Sequence, residues 1–308
     1  MTIDYLTFSN LIIDDIVFPD GRTAMNTLGG SGTHALVGMR VWNGRLGYSA
    51  IIGTDFDPAH AQRLQQFGVD VSGLVVRDGF ATARAWQVFE VNDLRIEIFR
   101  TDLDEFRQRT IQEDDLPPAY RQAKGIHLNW GSLTEVANLV RSLRQTNPNI
   151  AVAFEITPDQ EQEPADHFQQ VLPHVSLFSP DLGEATAVSG LTDPVAMADL
   201  FVQWGAPVVA IRMGANGSLV KTREGEMWQL TAVPPTNLVD VTGAGNSYLG
   251  GFLTGLGDGL SPFEASLRAA VSASFTLEQL GLPTWNTPPA AEVARRLAWA
   301  RANVVYSL

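Results

Sequence analysis

Apolar residues dominate positions 3–13 and stop at Asp14-Asp15, a run that predicts one buried strand. Leu46–Ile52 reads the same way. Between 83 and 100 the pattern becomes alternation, with Leu94, Ile96 and Ile98 interleaved with Arg95, Glu97 and Phe99. The segment before Asn92-Asp93 supplies a partner, so two strands about a tight turn are predicted, one face wetter than the other. From about 124 onward, apolar runs and helix-period segments take turns. Predicted strands are Gly125–Asn129, Ile150–Ile156, Val175–Phe178, Pro207–Met213 and Ser218–Thr222, and predicted helices cover 133–145, 181–188 and 194–204. Such alternation argues for a mostly parallel sheet covered by helices. Segments 261–281 and 289–303 read as helices over the end of that sheet.

Caps and turns sharpen these bounds. Asp57-Pro58 is an N-cap followed by proline at the first helical position, and Gly68 closes that helix. Asp181-x-x-Glu184 has capping-box spacing. Gly29-Gly30-Ser-Gly-Thr-His34 precedes an apolar segment ending at Asn43-Gly44, which is either tight turn chemistry or a close approach to a ligand. Gly214-Ala-Asn-Gly217 joins two apolar strands. The densest punctuation is Asp240-Val-Thr-Gly-Ala-Gly-Asn246, where an apolar lead-in bends through glycines into a small-residue helix starting near Ala244. The amides of Gly243, Ala244 and Gly245 at such a helix start would form an anion site.

Composition narrows the partners. A net charge of −13 without a basic run argues against non-specific nucleic-acid or anionic-membrane binding. Only Lys124 and Lys221 among the 21 basic residues are lysines, so phosphate charge would have to meet arginine, backbone amides or a metal. The absence of cysteine excludes disulfides, thiolate metal sites and a cysteine nucleophile. The first residues lack a basic signal region and no apolar run is long enough to span a bilayer, so a cytoplasmic location is expected. No GxxxxGK[ST], HExxH or GxSxG occurs, and no GxGxxG follows the first strand, which disfavours a nicotinamide oxidoreductase.

What remains is an ordered set: Asp14, Gly29-Gly30, Gly53-x-Asp55, Asp181-x-x-Glu184, Gly214-x-x-Gly217 and Asp240-x-Thr-Gly-Ala-Gly-Asn246. Across essentially the whole chain this set resembles the ribokinase-like, or PfkB, family of carbohydrate kinases. Its most specific part is the last motif, Asp-Thr-Gly-Ala-Gly-Asp in the family, here with one residue inserted. The resemblance implies a single three-layer α/β/α domain over 1–308 with a mostly parallel central sheet. It implies a small β lid built from about 14–28 and 83–102, which also forms a homodimer contact. Asp14, Gly29, Gly30 and His34 would hold a sugar- or nucleoside-like acceptor. Asp181, Gly214, Gly217 and Thr242 would lie along ATP. Glu184 would organise Mg2+ through water, potassium would sit near Asp240, and the Gly243–Gly245 amides would stabilise the transferred phosphoryl group.

Three departures matter. His34 and Asp181 stand where the family has Asn, which touches acceptor choice and metal detail. Asn246 stands where the family has its aspartate base. An amide orients a hydroxyl but takes no proton, and base loss costs ~10²–10⁴ in rate. Two readings therefore stay open, a slow kinase and a binding or regulatory protein without turnover. The Glu155-x-x-Pro-Asp159 segment and the Asn after Gly-Ala-Gly are also similar to a divergent branch of the family that includes fungal maintenance-of-killer-type proteins.

Overall fold

The computed structural model describes residues 2–42, 44–90, 95–108 and 111–306. The predicted Asn92-Asp93 turn therefore lies outside the described residues. In chain order the strands are β1 (Tyr5–Ser9), β2 (Ile12–Val17), β3 (Thr23–Gly29), β4 (Leu46–Gly53), β5 (Val69–Arg77), β6 (Arg84–Phe89) and β7 (Arg95–Phe99). They continue with β8 (Gly125–Asn129), β9 (Ala151–Phe154), β10 (Leu177–Phe178), β11 (Val208–Arg212), β12 (Ser218–Thr222), β13 (Met227–Leu230) and β14 (Val304–Tyr306). The helices are α1 (Ser31–Arg40), α2 (Pro58–Gln66), α3 (Leu103–Gln108), α4 (Leu133–Thr146) and α5 (Ala165–Val171). After them come α6 (Leu182–Ser189), α7 (Pro194–Gln203), α8 (Ala244–Gly257), α9 (Pro262–Thr276) and α10 (Ala290–Ala302).

Among these residues the large sheet has ten strands in the order β14-β13-β12-β11-β10-β9-β8-β1-β4-β5. The run from β11 to β5 is parallel, while β12, β13 and β14 add antiparallel pairs at one edge. Successive strand residues face opposite helix layers. Ala151, Ala153, Val208 and Ala210 join the core with α1, α8 and α9, whereas Val152, Phe154, Val209 and Ile211 join the core with α4, α5 and α7. Phe154 packs against Phe178 at 5.7 Å between ring centres. Truncating a fully buried ring of this kind costs about 3–5 kcal/mol.

Local chemistry explains the element ends. Ser132 and Glu135 form a reciprocal capping box at α4, whose Leu133, Val136, Ala137, Val140 and Leu143 make one buried face. Asp57 accepts from the Ala59 amide ahead of Pro58, and Asp193 does the same for Val195 and Ala196 ahead of Pro194.

The single strand expected over 3–13 is two strands. β1 ends at Ser9, and β2 leaves the large sheet to pair with β3 antiparallel and β6 parallel. Asp14 is thus inside β2, next to a register shift between Asp14 and Ile16, rather than at the end of the first strand. The second sheet runs β3-β2-β6-β7. Its edge strand β7 turns Glu97 to Gln87 and leaves Ile96 and Ile98 exposed, so the apolar row is the solvent-facing one. Asp15 pairs with Arg100, which lies over the Trp86 ring at 5.1 Å. This ties β2 across β6 to the chain leaving β7.

Glycines set how closely α8 approaches its neighbours. A Cβ on Gly250 would lie 2.1 Å from the Ala35 carbonyl oxygen of α1, and one on Gly255 would lie 2.5 Å from the Ala265 Cβ of α9. On the facing helix, a Cβ on Gly38 would lie 2.0 Å from the Ser247 carbonyl oxygen. The three helices touch backbone to backbone.

Candidate functional site

The C-terminal ends of β1, β8, β9, β10 and β11 open on one cleft of about 1490 Å³, the side of a parallel sheet where ligands bind. The small sheet and α3 close it from above with Gln87, Glu97, Phe99, Phe106 and Arg107. Arg107 reaches across to Asp159 with a paired contact, both bonds 2.7 Å.

One wall is the start of α8. Gly243 has φ 76°, the left-handed region that glycine adopts freely, and no side chain caps this helix. The helix start lines the cleft with Thr242, Gly243, Ala244, Gly245 and Asn246, and of its amides that of Ala244 makes a long 3.4 Å turn bond back to the Val241 carbonyl. The Thr242 amide is held by Asp240 Oδ1 at 2.9 Å, while the Thr242 hydroxyl is buried with no hydrogen-bond partner among the described residues. A Cβ on Gly243 would fall 2.0 Å from the His34 ring, and one on Gly245 would fall 2.0 Å from Arg212 Nη1.

The floor is charged. Arg212, at the end of β11, meets Glu155 Oε1 at 2.7 Å and Glu184 Oε2 at 3.2 Å. Glu155 Oε2 accepts from Asn246 Nδ2 at 2.5 Å and lies 3.6 Å from His127 Nε2. Burial pushes the Glu155 carboxyl up, but Arg212 and His127 outweigh it and hold it below the usual range. Burial raises Glu184 to about 7, against the pull of Arg212 and with the push of Glu155. Glu184 also accepts from the Asp181 amide at 2.7 Å while Asp181 caps the Glu184 amide at 2.8 Å, so the capping box is real and shares its carboxylate with the site.

A profile of the pfkB family carbohydrate kinase matches residues 7–288. The chain belongs to the PfkB family of carbohydrate kinases. A cytidine kinase of Thermococcus kodakarensis is 27% identical over 272 residues, spanning 86% of this chain and 92% of that protein. The Burkholderia thailandensis nucleoside kinase solved with inosine superposes with a TM-score of 0.76 at 16% identity, covering 99% of this chain and 100% of the other. A candidate ribokinase II of Escherichia coli, solved with ATP and Mg2+, gives 0.75 at 17% identity over 97% of this chain and 100% of the other. These likenesses fix the fold as ribokinase-like.

In this PfkB chain, Asp14, Gly30, His34, Asp181, Glu184, Gly214, Gly217, Thr242, Gly243, Ala244, Gly245 and Asn246 all line the one cleft. Gly29 and Asp240 stand behind it. A Cβ on Gly29 would lie 1.7 Å from Asp14 Oδ2, so Gly29 makes room for that carboxylate. Asp14 Oδ1 accepts from Gln87 Nε2 at 3.1 Å, and the same amide donates to Glu97 Oε1 at 2.7 Å. Sequence reasoning missed Gln87, Glu155 and Arg212 as site residues. For Glu155 and Arg212 the available signal was a charged residue ending an otherwise apolar strand, while Gln87, neutral and inside β6, left none. Among the described residues no helix is long and apolar enough to cross a membrane.

Proposed function

We propose that this PfkB kinase transfers a phosphoryl group from ATP, with Mg2+, to a hydroxyl of a small polyhydroxylated acceptor of sugar or nucleoside type. The observation that carries this reading is the uncapped start of α8, which opens into the same cleft as Asp14 and Gln87 of the small sheet.

The residues present suit a nucleotide. The partnerless Thr242 hydroxyl and the first amides of α8 offer donors to phosphate oxygens. Gly214 has open space where a side chain would be, and Val233, Ala270, Ala273 and Leu277 line an apolar slot of a kind that accepts a planar base. Among the described residues no group of three or more His, Asp or Glu converges as a metal cluster. Mg2+ would be held by one carboxylate, Glu184, with waters and phosphates, as this ion prefers. Bound there, it would neutralise phosphate charge. Potassium near Asp240 belongs to the same reading.

The protein's own groups then do the positioning. Asp14 and Gln87 Oε1, which has no hydrogen-bond partner among the described residues, accept hydroxyls of the acceptor, and the small sheet with α3 excludes water as a lid. The amides of Gly243, Ala244 and Gly245 stabilise charge on the moving phosphoryl group, with Arg212 beside them. Ile96 and Ile98 on the outer face of β7 suit a homodimer through the lid, which light scattering of Ile98→Glu tests as a loss of the dimer.

A coupled ADP-release assay over sugars and nucleosides tests the activity. Acceptor-dependent ADP above background is expected. Nucleotide binding with no turnover for any acceptor would sink the reading in favour of a binding protein. That alternative rests on Asn246 alone and is the less favoured, since relatives spanning most of this chain include a cytidine kinase and a nucleoside kinase.

A further inference from the structure

Position 246 offers an amide where phosphoryl transfer to an alcohol calls for a proton acceptor, yet a carboxylate stands one hydrogen bond away. Glu155 follows β9, is 5% exposed, and lines the cleft beside Asn246. Its Oε2 accepts from Asn246 Nδ2 at 2.5 Å, and its Oε1 is held by Arg212 at 2.7 Å. Behind it, His127 is fully buried, with Nδ1 3.0 Å from the Thr7 hydroxyl and Nε2 3.6 Å from Glu155 Oε2. Nε2 makes no hydrogen bond among the described residues. A carboxylate offers about four acceptor sites, and Asn246 and Arg212 occupy two of them, so the group can still receive a hydroxyl proton.

We propose that Glu155 is the general base of the phosphoryl transfer in this protein, and that Asn246 is a positioning residue that holds its carboxylate at the reacting end of the cleft. The assignment rests on the kinase reading above. In the step, the acceptor O–H bond breaks and its proton moves to Glu155. The freed electron pair forms the bond to the γ-phosphorus of the nucleoside triphosphate, and the bridging P–O bond breaks to release the diphosphate. The proton then leaves to solvent, which regenerates the carboxylate.

The alternatives at the cleft floor are weaker. Asn246 donates through Nδ2 and carries no basic atom. Asp181 caps α6, and Glu184 accepts from the Asp181 amide and from Arg212. Asp14 sits in the small sheet and accepts from Gln87. In phosphoryl transfer with a loose transition state the base has little charge to develop early, so a carboxylate ionised throughout the neutral range serves. The groups facing Glu155 are His127 from β8, Arg212 from β11, Glu184 and Asp181 at the start of α6, and Asn246 from α8. Burial raises its pKa while Arg212 and His127 win by lowering it. The acid limb of the rate profile therefore belongs below the ordinary glutamate range.

The experiment measures kcat and kcat/KM by coupled ADP release from pH 4 to 9 for wild type, Glu155→Gln, Asn246→Asp and the double variant. Mg–ADP titration and thermal midpoints run alongside. Glu155→Gln is expected to lose ~10²–10⁴ in kcat and its acid limb, with nucleotide affinity held within about twofold. Asn246→Asp is expected to gain nothing and to move the acid limb upward, because two carboxylates at hydrogen-bond distance share a proton. The double variant, with its carboxylate returned one position away, is expected to recover roughly tenfold over Glu155→Gln. The assignment is overturned if Glu155→Gln keeps kcat within about threefold of wild type. It is also overturned if Asn246→Asp alone raises kcat tenfold with the acid limb unmoved, since the base would then simply be missing. Should Glu155→Gln fail to fold, wild type and Asn246→Asp decide between these outcomes by themselves. A wild type silent towards every acceptor sinks the kinase reading together with the assignment, whereas failure of the assignment alone leaves the wild type active.

Discussion

Asn246 Nδ2 donates to Glu155 Oε2 at 2.5 Å, joining the first turn of α8 to the end of β9. The bond connects residues 91 positions apart and fixes a buried carboxylate against the phosphate-facing helix start. Asn246→Ala removes that tether and leaves Arg212 to hold Glu155. A loss of roughly 10–100-fold in kcat is expected, with little change in nucleotide affinity, because the carboxylate remains but is less well placed. Steady-state kinetics with Mg–ADP titration checks the split.

Gly243 is constrained twice, by φ 76° and by the His34 ring. Gly243→Ala costs roughly 1–2 kcal/mol for the left-handed backbone before any clash. A thermal midpoint about 2–3 °C lower is expected from the backbone alone. In the His34→Ala background the same change should cost clearly less, because the ring is gone and only the backbone term remains. A double-mutant cycle on thermal midpoints reads that difference.

Asp14 lines the cleft, accepts from Gln87 and, in the proposed function, holds the acceptor. Asp14→Asn keeps the shape and removes the charge. The KM of the acceptor is expected to rise ~10–100-fold while the KM of ATP stays within about twofold, which initial-rate kinetics in both substrates resolves.

Burial raises Glu184 to about 7, so its carboxyl is partly protonated near neutral pH. A cation held by this carboxylate would lower its pKa, so Mg–ADP binding at pH 7 should release a fraction of a proton per site. Calorimetry in buffers of different ionisation enthalpy measures the release. Glu184→Gln should abolish it.

Glu292 is held down to about 2 by its bonds to Arg295 and then Arg296, the latter 1% exposed and stacked on Phe275 at 4.0 Å. A carboxylate depressed in the folded state adds stability above its ordinary pKa of 4.5 and loses it as pH falls through about 2. Glu292→Gln should therefore lower the thermal midpoint at pH 7, and the gap from wild type should close steadily between pH 4.5 and 2. Circular dichroism melts across that range test the sign.

Much of the scaffold was legible because its signals are local. The apolar runs at Gly125–Asn129 and Ser218–Thr222 gave their strands without shift, and the helical segments read at 133–145 and 194–204 gave α4 and α7 to within one residue. β5 was missed because Asp70, Ser72 and Gly73 interrupt its alternation. Gly73 is there because the Tyr48 carbonyl oxygen would lie 2.5 Å from any Cβ. The division of 3–13 was missed because β1 and β2 are both buried and the polar pair Ser9-Asn10 between their apolar residues is too short to stand out as a break. The glycine bend before α8 was readable, since a left-handed residue and an open helix start leave a sequence trace. The Glu155–Arg212 pair was not. Each is a charge ending an apolar strand, and only the sheet order turns them from solvent towards each other.

The close glycine contacts of α8 with α1 and α9 bear on how this protein could be redesigned. They bind the α8 wall of the cleft into one stiff block with almost no tolerance for added volume, while the small sheet above lines the cleft through side chains at β2, β6 and β7, where the proposed function puts the acceptor. Libraries aimed at new acceptors therefore belong in the strands of the lid, where a changed side chain alters what is recognised and leaves the transfer machinery in register. A single methyl group placed along the α8 seam, far from any ligand, would do the reverse.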